Sequence, residues 1–381
     1  MTGDDVPIGR RVASWRVRRR MTQQVLADRL RRSKSWVDKI ERGVRPLDRY
    51  SVIQEVAHVL RVEPEALLGQ PRSTPAGTPD GVDDIRAALA RYDTPEATQQ
   101  TPEEARRQVE HAWLSYQHAH YAQLVRLVPG LLDAAQGARS AELLVSAYRI
   151  TSSLLVKLGE ADLAWLAADR AMGAAGDDPV LAATAAVSVG QALRASGRDR
   201  LALAATLAAN HVRPRRSAGE WAVGGTLLLQ AALAAAGCGE HRHAAALTDR
   251  AAGVATNLRG YDDQHRTSFG PVAVELVRVL LAAARDNSVE ALRRHSIVVR
   301  REGWRWLPAE YRGAYLLDAA RVYVHAGDLR GAARVLVDAD SVAPAEVRGR
   351  PLARTLIADC ARARPAPAGV ARLATLVGLT R

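Results

Sequence analysis

Between Ile8 and Leu68 the apolar positions recur at the three- and four-residue spacing of amphipathic helices. Ile8–Arg19 predicts a first helix. Thr22 is placed to cap a second, with Val25, Leu26 and Leu30 inward, and Ser33 to cap a third, with Val37 and Ile40 inward and Lys34, Ser35, Asp38 and Lys39 outward. Asp48 caps a fourth helix through Leu60, and Glu63–Leu68 makes a short fifth. Ile8, Val12, Trp15, Leu26, Val37, Ile40, Ile53, Val56, Ala57 and Leu60 are the expected core of this unit. The Pro-, Gly-, Ser- and Thr-rich stretch from Gln70 to Gly81 reads as a linker. The pattern therefore divides the chain into a five-helix domain over 1–70, a linker over 71–81 and a third region over 82–381.

That third region is helical almost throughout, and it repeats. An apolar helix end, a glycine, two or three polar residues and an Ala/Leu-rich helix recur around Gly159, Gly197, Gly239 and Gly327, with a glycine-less break near Asp286–Asn287. The spacing is about 40 residues, stretched to about 48 where a longer loop fits around Arg259–Thr267; helical hairpins at that period are the signature of an α-solenoid. The fold class is all-α.

Charge changes the picture of the N-terminal region. Residues 8–49 hold fourteen Lys or Arg against four acids, a net +10 in a chain whose total is +12. Such concentration in the segment that contains two short capped helices joined by a tight turn is the footprint of a phosphate-binding surface built on a helix-turn-helix. Elsewhere the 381 residues offer no phosphate-binding glycine loop, nucleophile elbow or zinc-protease motif, and no credible catalytic constellation, so an enzyme is not expected. Cys238-x-x-His241-x-His243 and His111…His118-x-His120 carry metal-ligating residue types without an established spacing, so neither a metal nor another cofactor is assigned. Two cysteines make no disulfide framework, the N-terminus has no apolar signal region, and no long apolar run predicts a membrane span, which points to a cytoplasmic protein.

Thr22-Gln23-x-x-Leu26-Ala27 followed by Ser33-x-Ser35-x-Val37-x-x-Ile40-Glu41-Arg42-Gly43 resembles the Xre (lambda-repressor-like) DNA-binding domain over roughly residues 8–68. The remainder resembles the tetratricopeptide-type sensor region of actinobacterial Xre regulators, most recognisably at Arg266–Pro271 and Asp318–Arg321, and similar architectures include peptide-sensing quorum regulators. The sequence departs from the Xre pattern at Arg31, where glycine is usual; a left-handed arginine costs on the order of 1 kcal/mol. The resemblance implies that Lys34, Ser35 and Trp36 face base edges in double-stranded operator DNA. Lys34 suits guanine O6/N7 and Ser35 several bases, while Trp36 is read either as an apolar contact to a thymine methyl or as packing at the helix seam. Gln23 is read as binding phosphate or bracing the recognition helix, and Asp38 as pairing with Arg42 four residues on. Arg16, Arg18, Arg19, Arg20, Arg42, Arg45 and Arg49 are phosphate candidates.

In the repeats, polar or aromatic residues within apolar first helices are the candidates for a signal on the concave face: Trp113, Tyr116, Tyr148, Arg149, Gln230, Phe269, Glu275, Tyr315 and Asp318. Each is equally a candidate for interhelix packing. The aromatic group Trp304, Trp306, Tyr311 and Tyr315 is read as a pocket or a dimer contact. These features together describe a homodimeric regulator whose operator binding responds to a peptide or small metabolite; the alternative is a scaffold whose repeats bind a protein partner.

Overall fold

The computed structural model describes residues 8–19, 21–45, 47, 50–60, 62, 67, 81–91, 101–210, 217–256, 258, 263, 265–363, 367 and 369–379. All regular structure among them is helical. The chain divides into two compact units, Met1–Asp80 and Gly81–Arg381.

The first unit contains α1 (Ile8–Arg18), α2 (Gln23–Arg29), α3 (Lys34–Glu41) and α4 (Tyr50–Leu60). Both expected caps form: Thr22 Oγ1 accepts the Val25 amide at 3.2 Å, and Ser33 Oγ accepts the Trp36 amide at 3.1 Å. Each satisfies one of the amides that a helix start leaves without an internal partner. Val12, Leu26, Val37, Ile40, Ile53, Val56, Ala57 and Leu60 are buried as expected, with Ile8 and Trp15 half-buried against them. Val25 is a correction: it is 38% exposed, and Ala27 is buried in its place. The inward arc of this seven-residue helix centres on Leu26, Ala27 and Leu30, which puts Val25 one helical step outside it. Gly9 lets α1 approach α3, since a Cβ there would meet the Ile40 carbonyl oxygen at 2.0 Å. The Asp48 cap and nearly all of the expected fifth helix lie outside the described residues; Leu67, from that stretch, is fully buried.

The second unit opens with α5 (Val82–Ala90) and then runs as antiparallel hairpins: α6 (Pro102–Gln117) with α7 (Tyr121–Gly137), α8 (Ala141–Leu158) with α9 (Ala161–Ala175), and α10 (Pro179–Ala195) with α11 (Asp199–Asn210). The series continues with α12 (Ala218–Gly237) and α13 (His241–Ala255), then α14 (Pro271–Ala284) and α15 (Ser288–Val298). A short α16 (Glu302–Trp306) precedes the pair α17 (Ala309–His325) and α18 (Leu329–Val342), and α19 (Pro344–Gly349), α20 (Pro351–Ala361) and α21 (Val370–Leu376) finish the unit. The expected turn glycines are left-handed, with φ from 69° to 84° at Gly159, Gly197, Gly239 and Gly327, and Asp286 takes the same conformation at 58°. A further hairpin, α6–α7, turns on Ala119 at φ 60°. In each the next amide returns to a carbonyl five residues back, as from Glu160 to Leu155 at 2.9 Å and His120 to Ser115 at 2.8 Å. This is the helix-ending arrangement that glycine favours because it carries no Cβ. Small residues then let helices pack closely: Ala164, Ala167, Ala168 and Ala171 along α9 have no exposed surface.

The array also turns back on itself. Lys157 of α8 lies 2.7 Å from Glu310 of α17 and 2.8 Å from Glu346 of α19. Glu346, wholly buried, also accepts the Tyr121 hydroxyl of α7 and Arg350 Nη1 at 2.8 Å. Burial alone would raise the Glu346 carboxyl, but the Lys157 and Arg350 charges outweigh it and hold the group below its ordinary range. Early and late hairpins are thus joined through one buried ionic cluster. Removing one partner of a buried ion pair leaves an uncompensated charge, which typically costs about 3–5 kcal/mol. Lys157→Met is expected to destabilise the chain by that order in urea unfolding monitored by circular dichroism, whereas Lys157→Arg keeps the charge and loses less.

Candidate nucleic-acid interface and concave groove

The turn between α2 and α3 reverses on Arg31 at φ 50°, the position where the sequence carries arginine in place of glycine. The Arg32 amide returns to the Ala27 carbonyl at 2.9 Å, so the turn closes as the repeat turns do. This geometry leaves the first turn of α3 facing water. Lys34 and Ser35 are exposed, whereas Trp36 is half-buried against the core, with the Arg32 guanidinium 5.6 Å over its ring.

The far end of α3 is clamped. Glu41 accepts Arg16 Nε at 2.6 Å and Nη2 at 3.0 Å, and its second oxygen also accepts Gln23 Nε2 at 2.8 Å. Arg16 reaches the Met21 carbonyl as well, at 2.8 Å. One carboxylate therefore ties α1, α2 and α3 together, and the paired fork of Arg16 fixes its orientation. Arg16 is accordingly a brace and not an open phosphate ligand, a correction to the sequence expectation. Gln23 also faces the brace. No local spacing marks this contact, because its members are 18 and 25 residues apart.

The other arginines differ in their freedom. Arg19 Nε donates to the Leu60 carbonyl at 3.1 Å, which ties α1 to the end of α4. Arg18 lies 5.0 Å over the Trp15 ring, and Arg42 pairs with Asp38 at 3.4 Å with both side chains exposed. Arg45 is exposed just beyond α3. Arg20 and Arg49 lie outside the described residues.

In the second unit, Arg106 and Trp113 of α6, Glu142, Ser146 and Arg149 of α8, Thr184 of α10 and its cap Asp178 line a groove of about 520 Å³, together with His265 and Arg266. Trp113 Nε1 donates to Ser146 Oγ at 2.7 Å, and the Arg149 guanidinium lies 5.5 Å over the Trp113 ring. Phe269 lines a second cavity of about 560 Å³ with Arg305, Trp306 and Arg312. The remaining signal candidates sit in contacts between or along helices. Tyr148 accepts from Gln136 at 3.2 Å, the buried Tyr116 has Lys157 Nζ 5.9 Å from its ring, and Gln230 accepts from Arg194 at 3.0 Å. Glu275 pairs with Arg278 at 2.6 Å and Arg294 at 3.5 Å, and Asp318 pairs with Arg321 at 3.2 Å. Tyr315 packs edge-on against Trp304 at 5.6 Å and bonds His295 Nδ1 at 3.0 Å; burial holds that histidine down to about 4. The aromatic group of the sequence thus splits, with Trp304 and Tyr315 in the core and Trp306 80% exposed. Among the described residues no group of three His, Cys, Asp or Glu side chains gathers to hold a metal, and no helix is long and apolar enough to cross a membrane.

Residues 7–68 match the family model described as a helix-turn-helix domain. The N-terminal unit is therefore a helix-turn-helix domain. No curated protein matches the chain. Among solved structures it is similar to Bacillus thuringiensis PlcR in complex with the peptide PapR7 and DNA, at 12% identity and a TM-score of 0.38, covering 79% of this chain and 100% of that one. It is similar also to ComR from S. thermophilus in complex with DNA and its signalling peptide ComS, at 12% identity and a TM-score of 0.32, covering 88% and 99%. At likenesses this distant, the role of each residue rests on the chain's own geometry.

Deleting the Glu41 carboxylate strands two donors at once, at about 1–3 kcal/mol for a buried group left unmatched. Glu41→Ala is expected to lower the melting temperature of the full chain by several degrees, and Glu41→Gln, which retains an acceptor for Gln23, by less. Differential scanning calorimetry measures both.

Proposed function

We propose that this chain is a sequence-specific, DNA-binding transcriptional regulator that acts as a dimer. One observation carries the reading: α3 presents Lys34 and Ser35 to water at its start and is clamped at its far end by the Arg16–Glu41–Gln23 brace, within the segment that carries +10 of the chain's +12 charge. A helix so presented enters the major groove, where Lys34 donates to guanine and Ser35 pairs with a neighbouring base. Trp36 keeps its outer edge for a thymine methyl while its inner face packs. Arg18, Arg42 and Arg45 hold the phosphate backbone, and Gln23 and Arg19 keep the helices in register for that contact. A single module of this size seldom supplies enough affinity and specificity, which supports binding of a two-fold operator by two copies.

The groove beside Trp113 and Arg149 is the best seat in the repeat unit for a signal, a short peptide or a small metabolite. It is concave, carries both charges at its rim and has an aromatic wall. A ligand preferring one arrangement of the repeats shifts the population of DNA-competent dimers. The experiment is a pair of variants measured on operator fragments selected from genomic DNA. Lys34→Ala is expected to weaken operator binding by about 1–3 kcal/mol and to leave binding to unrelated DNA nearly unchanged. Arg45→Ala weakens both and reduces the slope of log K against log salt by about one. Unchanged operator affinity in both variants overturns the assignment.

A further inference from the structure

The groove that is the best seat for a signal is already touched by the chain itself. His265 and Arg266, which come some ten residues after α13 in sequence, lie against α6, α8 and α10, whose groove-lining residues come far earlier in the chain. Arg149 Nη2 donates to the His265 main-chain carbonyl at 2.9 Å, and Arg149 is itself 6% exposed and laid over Trp113. Four residues on, Phe269 lies against the bare backbone of α12: a Cβ at Gly225 would come within 2.1 Å of its ring. Between these anchors the segment is a tight turn. Asp263 accepts the Thr267 and Ser268 amides, both at 2.8 Å. Arg266 and Ser268 are both left-handed, at φ 53° and 52°, a conformation that side-chained residues resist. Two such residues so close together persist only where the surroundings impose them. The same segment borders both cavities, His265 and Arg266 facing one, Asp263, Ser268 and Phe269 the other.

We propose that residues 265–269 form an internal strap, seated in the signal groove at His265 and Arg266 and held there by Arg149, and that a ligand must displace His265 from Arg149 to occupy the groove fully. The inference rests on the reading of that groove as the signal site. The strap presents a main-chain carbonyl to Arg149, which lies over the aromatic wall, so it holds the position a ligand's carbonyl or carboxylate would take. Its left-handed residues oppose the seated form and so favour release once the carbonyl is taken from Arg149.

Two measurements on the full chain test this. In Arg149→Met, hydrogen exchange at the Thr267 and Ser268 amides is expected to accelerate at least tenfold, with exchange in α8 and α12 unchanged; equal exchange in the variant and the natural chain overturns the strap. In a second variant residues 264–268 are replaced by two glycines, and the probe is a synthetic peptide with the sequence of residues 263–270, followed by fluorescence anisotropy. The shortened chain is expected to bind it saturably and the natural chain at least tenfold more weakly. Equal binding by both chains, or none by the shortened chain, overturns the proposal. Operator binding by the natural chain is scored separately: its loss removes the regulator reading, whereas the exchange and peptide results decide the strap alone.

Discussion

An α-helix cannot fold back on itself within three residues unless one residue leaves the right-handed region, and this constraint governs both units of the chain. Arg31 meets it between α2 and α3, and Ala119, Gly159, Gly197, Gly239, Asp286 and Gly327 meet it in six hairpins of the array. Each turn is closed by an amide returning five residues back, so the direction of the following helix is set locally. In the N-terminal unit that direction brings the first turn of α3 to the surface. In the array it stacks the first helices of successive hairpins side by side, and the groove beside Trp113 and Arg149 results from that stacking.

Local turns do not fix long-range placement, and two buried carboxylates supply it. Glu41 gathers donors from α1 and α2, and Glu346 gathers Lys157, Tyr121 and Arg350 from widely separated stretches. The cation differs according to geometry. Arg16 approaches one carboxylate with two parallel bonds, which the planar guanidinium is shaped for. Lys157 sits between two carboxylates, which suits a compact ammonium with donors free to turn. It is one of three lysines in a chain with 53 basic residues, and the other two belong to α3.

Much of this was legible because it is written locally. Caps at Thr22 and Ser33, apolar spacing and turn glycines each act within five residues, and the structure places them where the pattern does. The α6–α7 hairpin escaped because Ala119 takes the left-handed position without the glycine that marks it elsewhere. Val25 faces outward against expectation and Ala27 is buried without having been expected there, because a seven-residue helix gives periodicity little to work on and alanine signals burial weakly. The Glu41 brace and the Glu346 cluster have no sequence signature, since their members meet only after the helices have packed. The same holds for the groove: Trp113 and Arg149 are two of nine similar candidates, and only the packing of α6, α8 and α10 around one groove distinguishes them.

The central claim is that the positive N-terminal unit engages DNA through the exposed start of α3, the helix that the Glu41 brace clamps at its other end. Its most direct test is the affinity of the full chain for a duplex from the region upstream of its own coding sequence, measured across a range of salt concentrations. Neutralising phosphates releases counterions, so log K is expected to fall linearly with log salt at a slope of about −0.9 for each phosphate contacted, several units in all. Affinity independent of salt, or no binding by protein whose circular dichroism shows it folded, would contradict the account.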